Sequence, residues 1–493
     1  MSRLLSRRNF VKAAGVAVAG SGLAACGATP TPQVIKEVVT QVVEKEVTKI
    51  VEGTPQVVKE TVVVEQVVEQ TVVVEKVVEA TAAPAEKVKL LFNSVGWGGW
   101  LSEPWIAMIG QFNESQNGIV AEYQDIAEGN AKVMAQAAGN VAADAYIWWT
   151  LSMPAFSAKN FFVALEEFVA SSQVVKEDDY FAGDWSEMLW AGHLYNIPYD
   201  NSPAMIWYNP DLFDEAGVAY PPSHFGEWKW ADFLDTTTKL TKGEGVGRVY
   251  GWAGQRWWIY QLCWIWSNGG TWLGEDDTKA AMNTPENKEA LQWAADMVRK
   301  YKVQPMADEI IQGGNSAMFM ARRAAMTLYG TWWAIDLKAA SAESGLRWNM
   351  APMPDGAAGS FVRNPLDSLG IWTGSQRRSE AWQLLEFLSK PEVMAVIVKA
   401  GLSMSRRDIM NSDVFLKQEP TDVNWHLFAE ALDGHVKAHP HTPAFVQMND
   451  LTTPLWEGVL DGAMSVDEFL AQAETQTNDV LAECVRMGMC PAA

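Results

Sequence analysis

The sequence predicts an α/β protein of two lobes, preceded by a low-complexity N-terminal segment. From about residue 88 onward, apolar runs typical of strands alternate with runs of helical spacing, a pattern that favours a mostly parallel sheet. At 493 residues the chain is too long for a single hydrophobic core. Without the N-terminal segment, it is long enough for two lobes of ordinary size. Near the middle, residues 192–217 are predicted to form a strand, a polar corner, a second strand and a short helix. The rest of the chain is organised around this unit.

The first 26 residues are predicted to be an export signal rather than part of the fold. Residues 6–12, SRRNFVK, fit a twin-arginine motif, and residues 13–25 are apolar but too short to span a bilayer as a permanent helix. Residues 23–27, LAACG, are typical of a bacterial lipobox, in which Cys26 is lipidated after cleavage. The alternative is an ordinary signal peptide with a chance cysteine.

Residues 27–87 are predicted to form a low-complexity stalk. The segment TVVVEQVVEQ at 61–70 is followed by the near-repeat TVVVEKVVEA at 71–80, and no aromatic residue lies between Cys26 and Phe92. Because valine is a weak helix former and Gly53 interrupts the run, we expect a flexible or transiently helical segment without a globular core. As a complete helix, roughly 55 residues would reach about 80 Å.

Charge and composition exclude one class of partner and favour another. Acidic residues outnumber basic residues by 60 to 38, and the net charge of −22 would repel a phosphate backbone, so we expect no nucleic-acid partner. The 24 tryptophans exceed what a globular chain of this length ordinarily carries, which suggests aromatic surfaces beyond those of the core. Flat apolar faces of this kind suit the rings of sugars.

The elements of the globular part are predicted from periodicity, turn residues and caps. Strands are expected at residues 88–93, 119–123, 145–149 and 204–209, and helices at 103–114, 131–138 and 211–216. Gly217 should end the last of these helices with a positive φ. Thr284 followed by Pro285 predicts a helix start, and Ser465 with Glu468 predicts a capping box.

Two ordered sets of residues in the globular part carry a family resemblance. The first set is Gly192, Tyr195, Ile197, Pro198, Trp207, Tyr208, Asn209, Leu212, Phe213, Ala216 and Gly217. The second set is Phe319, Ala325, Met326, Gly330 and Trp332. Together they resemble the family 1 extracellular solute-binding proteins of ABC importers, the group that includes maltose-binding protein. Arg322 stands where that family usually has glycine and Met404 where it has proline, and the resemblance covers almost all of residues 88–482.

The resemblance implies a periplasmic-binding-protein-like fold with two discontinuous lobes. The N-terminal lobe would comprise residues 88–202 and 370–415, and the C-terminal lobe residues 203–369 and 416–493. Such a protein captures a solute between its lobes and delivers it to an ABC permease without catalysing a reaction. With the tryptophan excess, a mono- or oligosaccharide is the expected solute. Lipid on Cys26 would hold the protein at the outer face of the cell membrane.

Candidate ligand-binding residues follow from the expected position of the cleft, beyond the carboxyl ends of the strands. Aromatic faces stack on sugar rings, while carboxylates and amides hydrogen-bond to hydroxyls. In each adjacent tryptophan pair we expect one side chain to point inward. The candidates are Trp97, Trp100, Trp148, Trp149, Asp200, Asn201, Arg256, Trp257, Trp258, Trp332, Trp333 and Asp367.

Other classes of function are weighed against this one. Carboxylates are too common in the sequence for a secreted glycoside hydrolase to be excluded, and a receptor for a non-sugar solute such as a peptide is a further alternative. No phosphate loop, zinc signature or cofactor ligand set is found, so we predict no cofactor. The spacing of His435, His439 and His441 lacks a fourth ligand, and no metal site is predicted. Cys484 and Cys490 are suited to a small disulfide loop.

Overall fold

The computed structural model describes residues 35–51, 54–70, 86–95, 101–127 and 129–490. The chain separates into two compact units, Met1–Ala85 and Glu86–Ala493. Five features singled out in the sequence lie outside the described residues: the twin-arginine motif, Cys26, the near-repeat at 71–80, Trp97 and Trp100. In the described part of the chain, no helix combines the length and apolar character that crossing a membrane requires.

Strands and α-helices are numbered in chain order. The strands are β1 (Ile35–Val51), β2 (Thr54–Gln70), β3 (Val88–Val95), β4 (Ile119–Ile126), β5 (Ala145–Trp149), β6 (Leu189–Trp190), β7 (His193–Leu194), β8 (Asn196–Asn201), β9 (Met205–Tyr208), β10 (Met326–Tyr329), β11 (Asn349–Ala351), β12 (Val362–Arg363), β13 (Leu366–Ile371), β14 (Ser403–Met404) and β15 (Val436–Lys437). The helices are α1 (Ser102–Ser115), α2 (Asn130–Ala138), α3 (Met153–Ala158), α4 (Glu166–Ser171), α5 (Ala182–Ser186), α6 (Pro210–Ala216), α7 (Trp230–Leu240), α8 (Gln261–Ser267), α9 (Pro285–Arg299), α10 (Gly314–Met320), α11 (Ala334–Ser344), α12 (Arg378–Leu388), α13 (Pro391–Ala400), α14 (Arg407–Met410), α15 (Asp413–Leu416), α16 (His426–Gly434), α17 (Phe445–Asp461) and α18 (Val466–Arg486).

The valine-rich segment forms a β-hairpin, so the prediction of a flexible or transiently helical stalk is wrong for residues 35–51 and 54–70. β1 and β2 pair antiparallel along their full length, from Ile35 opposite Gln70 to Val51 opposite Thr54. The physical reason is the β-branched valine side chain, which disfavours helix and favours strand. The register also places Lys45 opposite Glu60, a cross-strand pair of opposite charges that favours this alignment.

The larger sheet of the second unit has six strands in the order β14-β8-β13-β5-β3-β4. β3 runs parallel to β4 and β5, whereas β13 runs antiparallel to β5 and β8. Four strands therefore share one direction, and the predicted mostly parallel sheet carries two opposed strands, β13 and β14. Helix α1 packs against β4 with buried side chains that recur every three or four residues: Trp105, Met108, Ile109 and Phe112.

The smaller sheet has three strands in the order β10-β9-β11, all antiparallel, and every residue of its central strand β9 is buried. Residues 202–204 join β8 of the larger sheet to β9 of the smaller one. Here Ser202 N donates to Asn364 Oδ1 at 2.8 Å, and Ala204 N donates to the carbonyl oxygen of Arg363 at 2.9 Å. The segments that leave and re-enter the larger sheet therefore lie side by side.

The return to the larger sheet occurs earlier than predicted. Residues 366–369 were assigned to the C-terminal lobe, but they belong to β13, whose pairing with β8 begins at Leu366 opposite Asn201. The reason is that Leu366 and Leu369 are fully buried apolar residues, which the strand carries into the core of the larger sheet. The other lobe boundaries, at residues 202/203 and 415/416, stay predictions.

The tryptophans are used mainly in the core, which differs from the expectation that their number reflects a surplus of aromatic surface. The tryptophans with the most completely buried side chains are Trp105, Trp148, Trp207, Trp252, Trp258, Trp272, Trp333, Trp425 and Trp456. Many pack ring against ring: Trp207 contacts Trp333 edge-on at 5.6 Å and lies 5.3 Å from Trp348. Aromatic pairs of this kind stabilise the fold beyond the burial of their surface alone. Because most of the described tryptophans pack in this way, only a small set faces solvent.

Several local predictions are confirmed. Thr284 accepts a hydrogen bond from the first turn of α9, and Ser465 forms a reciprocal capping box with Glu468. Gly217 ends α6 with φ of 65°. Cys484 and Cys490 form a disulfide at the end of α18, and Cys263 is a buried free thiol.

Arg322, which replaces the family's glycine, adopts the left-handed backbone conformation with φ of 55°. Its guanidinium group contacts two carboxylates of α6: Nη1 lies 3.0 Å from Asp211 Oδ2, and Nη2 contacts Glu215. The turn geometry is thus kept in spite of the side chain, with ion pairs on α6 in place of the conformational freedom of glycine.

Candidate functional site

A cavity of about 780 Å³ lies where the two sheets approach each other. One side is lined by the end of β5, the end of β8 and the start of β13 in the larger sheet. The other side is lined by residues that precede α8 and follow β10. The lining residues are Val95, Gly129, Asn130, Trp149, Asp200, Asn201, Ser202, Trp257, Tyr260, Thr331, Trp332, Asp336, Arg363, Pro365, Asp367 and Leu402. Its position beyond the carboxyl ends of β5 and β8 is the one expected for an α/β protein.

Six of the twelve predicted binding residues line this one cavity: Trp149, Asp200, Asn201, Trp257, Trp332 and Asp367. The first and the last of them, Trp149 and Asp367, lie more than two hundred residues apart in the sequence. The rings of Trp149 and Trp257 lie 6.2 Å apart, centroid to centroid, at an interplanar angle of 50°. The three tryptophans are half-buried, so each keeps part of its ring surface for contact with a bound molecule.

Trp148, Trp258 and Trp333, which the sequence analysis places among the candidate binding residues, do not line the cavity. Trp148 is fully buried and donates its Nε1 hydrogen to Ser152 Oγ at 2.7 Å. Trp258 stacks on Trp272 at 4.6 Å. Successive side chains of a strand point to opposite faces, and successive side chains of a 3₁₀ turn diverge by about 120°, so one member of each pair enters the core. In each pair one tryptophan is buried in the core and the other lines the cavity.

Arg256 also lies outside the cavity lining. Its Nη2 is 2.6 Å from Asp461 Oδ1 of α17, and its side chain is 13% exposed. The carboxylate at the C-terminal end of α17 draws the guanidinium group away from the cleft. Arg256 therefore links the loop before α8 to α17 rather than facing a ligand.

Arg363 and Tyr260 are lining residues that the sequence analysis missed. The Cζ atom of Arg363 lies 4.5 Å from the ring centroid of Tyr260 and 5.4 Å from that of Trp257. Arg363 Nε donates to His439 Nε2 at 3.1 Å. Burial and the neighbouring Arg363 charge lower the pKa of His439 well below its usual value, so the imidazole stays neutral and accepts this hydrogen bond. The one sequence signal that could have identified Arg363 as a lining residue was its position just before β13.

Two carboxyl groups meet at the floor of the cavity. β8 and β13 place Asp200 directly opposite Asp367. Burial raises the pKa of Asp367 to about 7. Burial and then the charge of Asp367 raise the pKa of Asp200 well above its usual value. A carboxyl group that keeps its proton donates a hydrogen bond and a carboxylate accepts one, so the pair offers both roles to a hydroxyl group.

A buried polar layer supports this floor from below. Asp184 accepts hydrogen bonds from Asn201 Nδ2 at 2.8 Å and from Asn364 Nδ2 at 2.9 Å. Burial raises the pKa of Asp184 to about 7 and, with the charge of Asp184, raises that of Glu187 well above its usual value. Since Asn201 also lines the cavity, Asp184 holds the orientation of a lining amide.

Hydrogen bonds among small hydroxyl groups fasten the crossing to the strands around it. Ser202 Oγ accepts from Thr331 N at 2.7 Å and lies 2.7 Å from Thr331 Oγ1. Ser403 Oγ donates to the carbonyl oxygen of Asn201 at 2.5 Å. Among the described residues lining the cavity there is no histidine, cysteine or lysine. The cavity thus offers aromatic faces and hydrogen-bonding groups rather than a paired nucleophile and base.

Several solved structures have the same two-lobed fold as this chain. An ABC substrate-binding protein from Listeria monocytogenes, in complex with cycloalternan, is 22% identical; the match covers 80% of this chain and all of that chain, with a TM-score of 0.72. A solute-binding protein of an ABC transporter from Thermotoga lettingae, bound to α-D-tagatose, is 23% identical over 80% of this chain and all of that chain, with a TM-score of 0.69. The sugar-binding protein MalE from Xanthomonas citri is 22% identical over 82% of this chain and all of that chain, with a TM-score of 0.69.

Comparison by sequence identifies the family to which the chain belongs. A Brucella abortus (strain 2308) protein described simply as a binding protein is 23% identical over 294 residues, which make up 59% of this chain and 68% of that protein. Residues 98–395 match the family described as bacterial extracellular solute-binding protein. This match spans more than half of the chain and includes both strands of the crossing. The chain therefore belongs to the bacterial extracellular solute-binding proteins.

Proposed function

We propose that this chain captures a mono- or oligosaccharide in the cavity and delivers it to the permease of an ABC transporter. One observation carries the proposal: three half-buried tryptophans, Trp149, Trp257 and Trp332, line the same cavity as the carboxyl pair of Asp200 and Asp367. Aromatic faces bind the apolar faces of sugar rings, and carboxyl groups bind their hydroxyls. A volume of about 780 Å³ is in the range of small-molecule sites.

The structural neighbours support a carbohydrate over other solutes. The Listeria protein holds cycloalternan and the Thermotoga protein holds α-D-tagatose, so this fold accepts both an oligosaccharide and a monosaccharide. Closure of two lobes around a ligand is favoured only by contacts that the open form lacks. Here such contacts would join Trp149 and Asp200 on one side of the ligand to Trp257 and Trp332 on the other.

We propose no catalytic activity, because the carboxyl groups are arranged unsuitably for glycoside hydrolysis. A glycosidase holds its two carboxyl groups roughly 5 to 9.5 Å apart, on either side of the bond that it cleaves. Asp200 and Asp367 instead lie directly opposite each other on adjacent strands of one sheet, so they are on the same side of the cavity. This geometry favours recognition of a hydroxyl group.

We further propose that lipid on Cys26 anchors the protein at the outer face of the membrane. The twin-arginine motif and the lipobox, in the correct order, support this assignment. A single acyl chain binds membranes only marginally, so the two or three chains of a bacterial lipoprotein would be needed. Cys26→Ser should release intact, ligand-competent protein from the membrane fraction; if the variant stayed in that fraction, the anchor would lie elsewhere.

Calorimetric titration with a panel of mono- and oligosaccharides tests the proposed ligand class. We expect heat of binding from at least one sugar, with one site per chain and no release of product. Failure of every sugar, with binding of oligopeptides instead, would replace the carbohydrate by a peptide. Turnover of a glycoside during the titration would contradict the proposal that the protein is not an enzyme.

A further inference from the structure

A group of three potential metal ligands lies away from the cavity. His224 belongs to the loop between α6 and α7, and His426 and Glu430 belong to α16. One ligand atom from each residue lies within 4.8 Å of the ligand atoms of the other two. Of the described residues, these form the one such group of histidine, cysteine or carboxylate side chains. None of the three lines the cavity.

The fold brings the three side chains together from two elements. His426 and Glu430 are four residues apart on α16, which places them on the same face, one turn apart. His224 reaches them from a segment about two hundred residues earlier: its Nδ1 lies 3.1 Å from Glu430 Oε2, and its ring centroid lies 4.9 Å from that of His426. Exposure of 56% for His224 and 30% for Glu430 leaves the group open to ions in solution.

The surrounding backbone already orients two of the three ligands. His426 Nε2 lies 2.9 Å from the carbonyl oxygen of Ser223, and donation of its hydrogen there leaves the lone pair on Nδ1. Glu430 Oε1 accepts a hydrogen bond from Phe225 N at 3.0 Å, which leaves Oε2 facing His224. A backbone carbonyl bonded to the second ring nitrogen is the arrangement that metal-binding histidines use, because it fixes the tautomer and the direction of the ligand atom.

We propose that His224, His426 and Glu430 bind a divalent transition-metal ion, with zinc as the expected metal. Two imidazoles and one carboxylate match the ligand sets of three-residue zinc sites, in which water takes the fourth position. Imidazole ligands select against calcium and magnesium, which prefer oxygen. A tetrahedral ion with bonds of about 2.1 Å holds its ligand atoms roughly 3.4 Å apart, so the group needs to contract by on the order of 1 Å. Rotation of the exposed His224 side chain can supply this movement.

The bound ion would join the loop before α7 to α16. Phe225, next to His224, stacks on His435 with ring centroids 4.0 Å apart at 15°, and His435 Nδ1 lies 2.9 Å from the carbonyl oxygen of Ser360. The ion would therefore sit at one end of a connected set of contacts between the loop, α16 and the segment before β12. Because the site is separate from the cavity, it does not depend on the identity of the solute.

The test is zinc titration of the full chain, without an affinity tag and after treatment with a chelator, followed by calorimetry and metal analysis. We expect one equivalent of tightly bound zinc and a higher melting temperature in its presence. His224→Ala and Glu430→Gln should each weaken zinc binding by at least about tenfold, as loss of a ligand requires. Calcium and magnesium should give no comparable effect.

His193→Ala is the matched control. His193 forms a similar exposed pair with Glu166, at 3.0 Å between Nδ1 and Oε1, but without a third ligand in the described residues. Removal of His193 should leave zinc binding unchanged. Absence of stoichiometric zinc, unchanged affinity in His224→Ala, or loss of affinity in the His193 variant would overturn the proposal. Since His224 lies in an exposed loop, its variant remains informative even if Glu430→Gln fails to fold.

Discussion

Trp149 and Trp257 place their ring centroids 6.2 Å apart across the cavity, although one ends a strand of the larger sheet and the other precedes α8. Their planes are inclined by 50°, so the two rings are tilted rather than stacked face to face. A sugar that contacted both rings would bridge the two sides of the cavity. Trp149 and Trp257 therefore bring the two sides of the cavity into contact.

Replacement of either ring should weaken ligand binding. We expect Trp149→Ala and Trp257→Ala each to reduce the affinity for the preferred sugar on the order of 30-fold, or about 2 kcal/mol, since both would serve as aromatic anchors. Calorimetry measures the change. Trp190→Ala, at another half-buried tryptophan outside the cavity, should bind as the wild type does. Equal losses in all three variants would point to a general structural effect.

The neighbour Trp148 should show the opposite behaviour. Its side chain is fully buried and packs edge-on against Phe156 at 4.3 Å, so Trp148→Ala leaves a cavity in the core. We expect a loss of about 3 to 5 kcal/mol in the free energy of unfolding, measured by urea denaturation. Trp149→Ala should cost much less stability. A stable Trp148 variant that failed to bind sugar would show that this residue had been placed on the wrong face of β5.

Buried carboxyl groups should lower the stability of the protein as the pH rises toward neutrality. Burial raises the folded-state pKa of Asp184 and Asp367 to about 7, above an unfolded-state value near 4. The stability from such groups is complete below the unfolded-state pKa and is lost as the pH rises through the folded-state pKa. Each group removes up to about 1.4 kcal/mol of unfolding free energy per pH unit between those values.

The buried His439 has the opposite sign and sets the useful pH range. Its folded-state pKa is lowered, so its contribution is lost as the pH falls below about 6.5 and is constant above it. Between pH 6.5 and 8 the melting temperature should therefore fall, and it should fall less in Asp184→Asn. A melting temperature that rose over this range, or an equal decline in the variant, would contradict the raised pKa values.

Arg322 allows backbone strain to be separated from ion pairing. Arg322→Gly and Arg322→Ala both remove the contacts with Asp211 and Glu215, but only glycine adopts a φ of 55° without a steric cost. We expect the glycine variant to be more stable than the alanine variant by about 1 kcal/mol in chemical denaturation. Equal stabilities would mean that the turn relaxes when arginine is removed.

Prediction from the sequence succeeded where the determining interactions are local. The caps at Thr284 and Ser465 and the left-handed Gly217 depend on residues within one helical turn, and all three are found. The ordered residues between Gly192 and Gly217 identified the unit that gives one strand to each sheet. Such features need no knowledge of distant parts of the chain.

Prediction failed where the outcome depends on distant partners. The hairpin requires Ile35 to meet Gln70, and periodicity within either strand does not indicate that pairing. Adjacent tryptophans could be assigned one inward member, but which one faced the cleft depended on the packing of Phe156 or Trp272. Arg363 is held at the cavity by two residues far away in sequence. Its guanidinium group lies over the ring of Tyr260, and its Nε donates a hydrogen bond to His439. These are properties of the assembled fold.

The antiparallel pairing of β1 with β2 has a consequence for the tether that Cys26 would form. Because Ile35 lies opposite Gln70, the chain leaves this ribbon almost where it entered, with about 5 Å between the paired Cα atoms. The ribbon itself projects by roughly 55 Å, at about 3.3 Å per residue, but it adds almost nothing to the net displacement along the tether. The 17 residues of β1 and the 17 residues of β2 therefore lengthen such a tether by little more than the spacing between two paired strands.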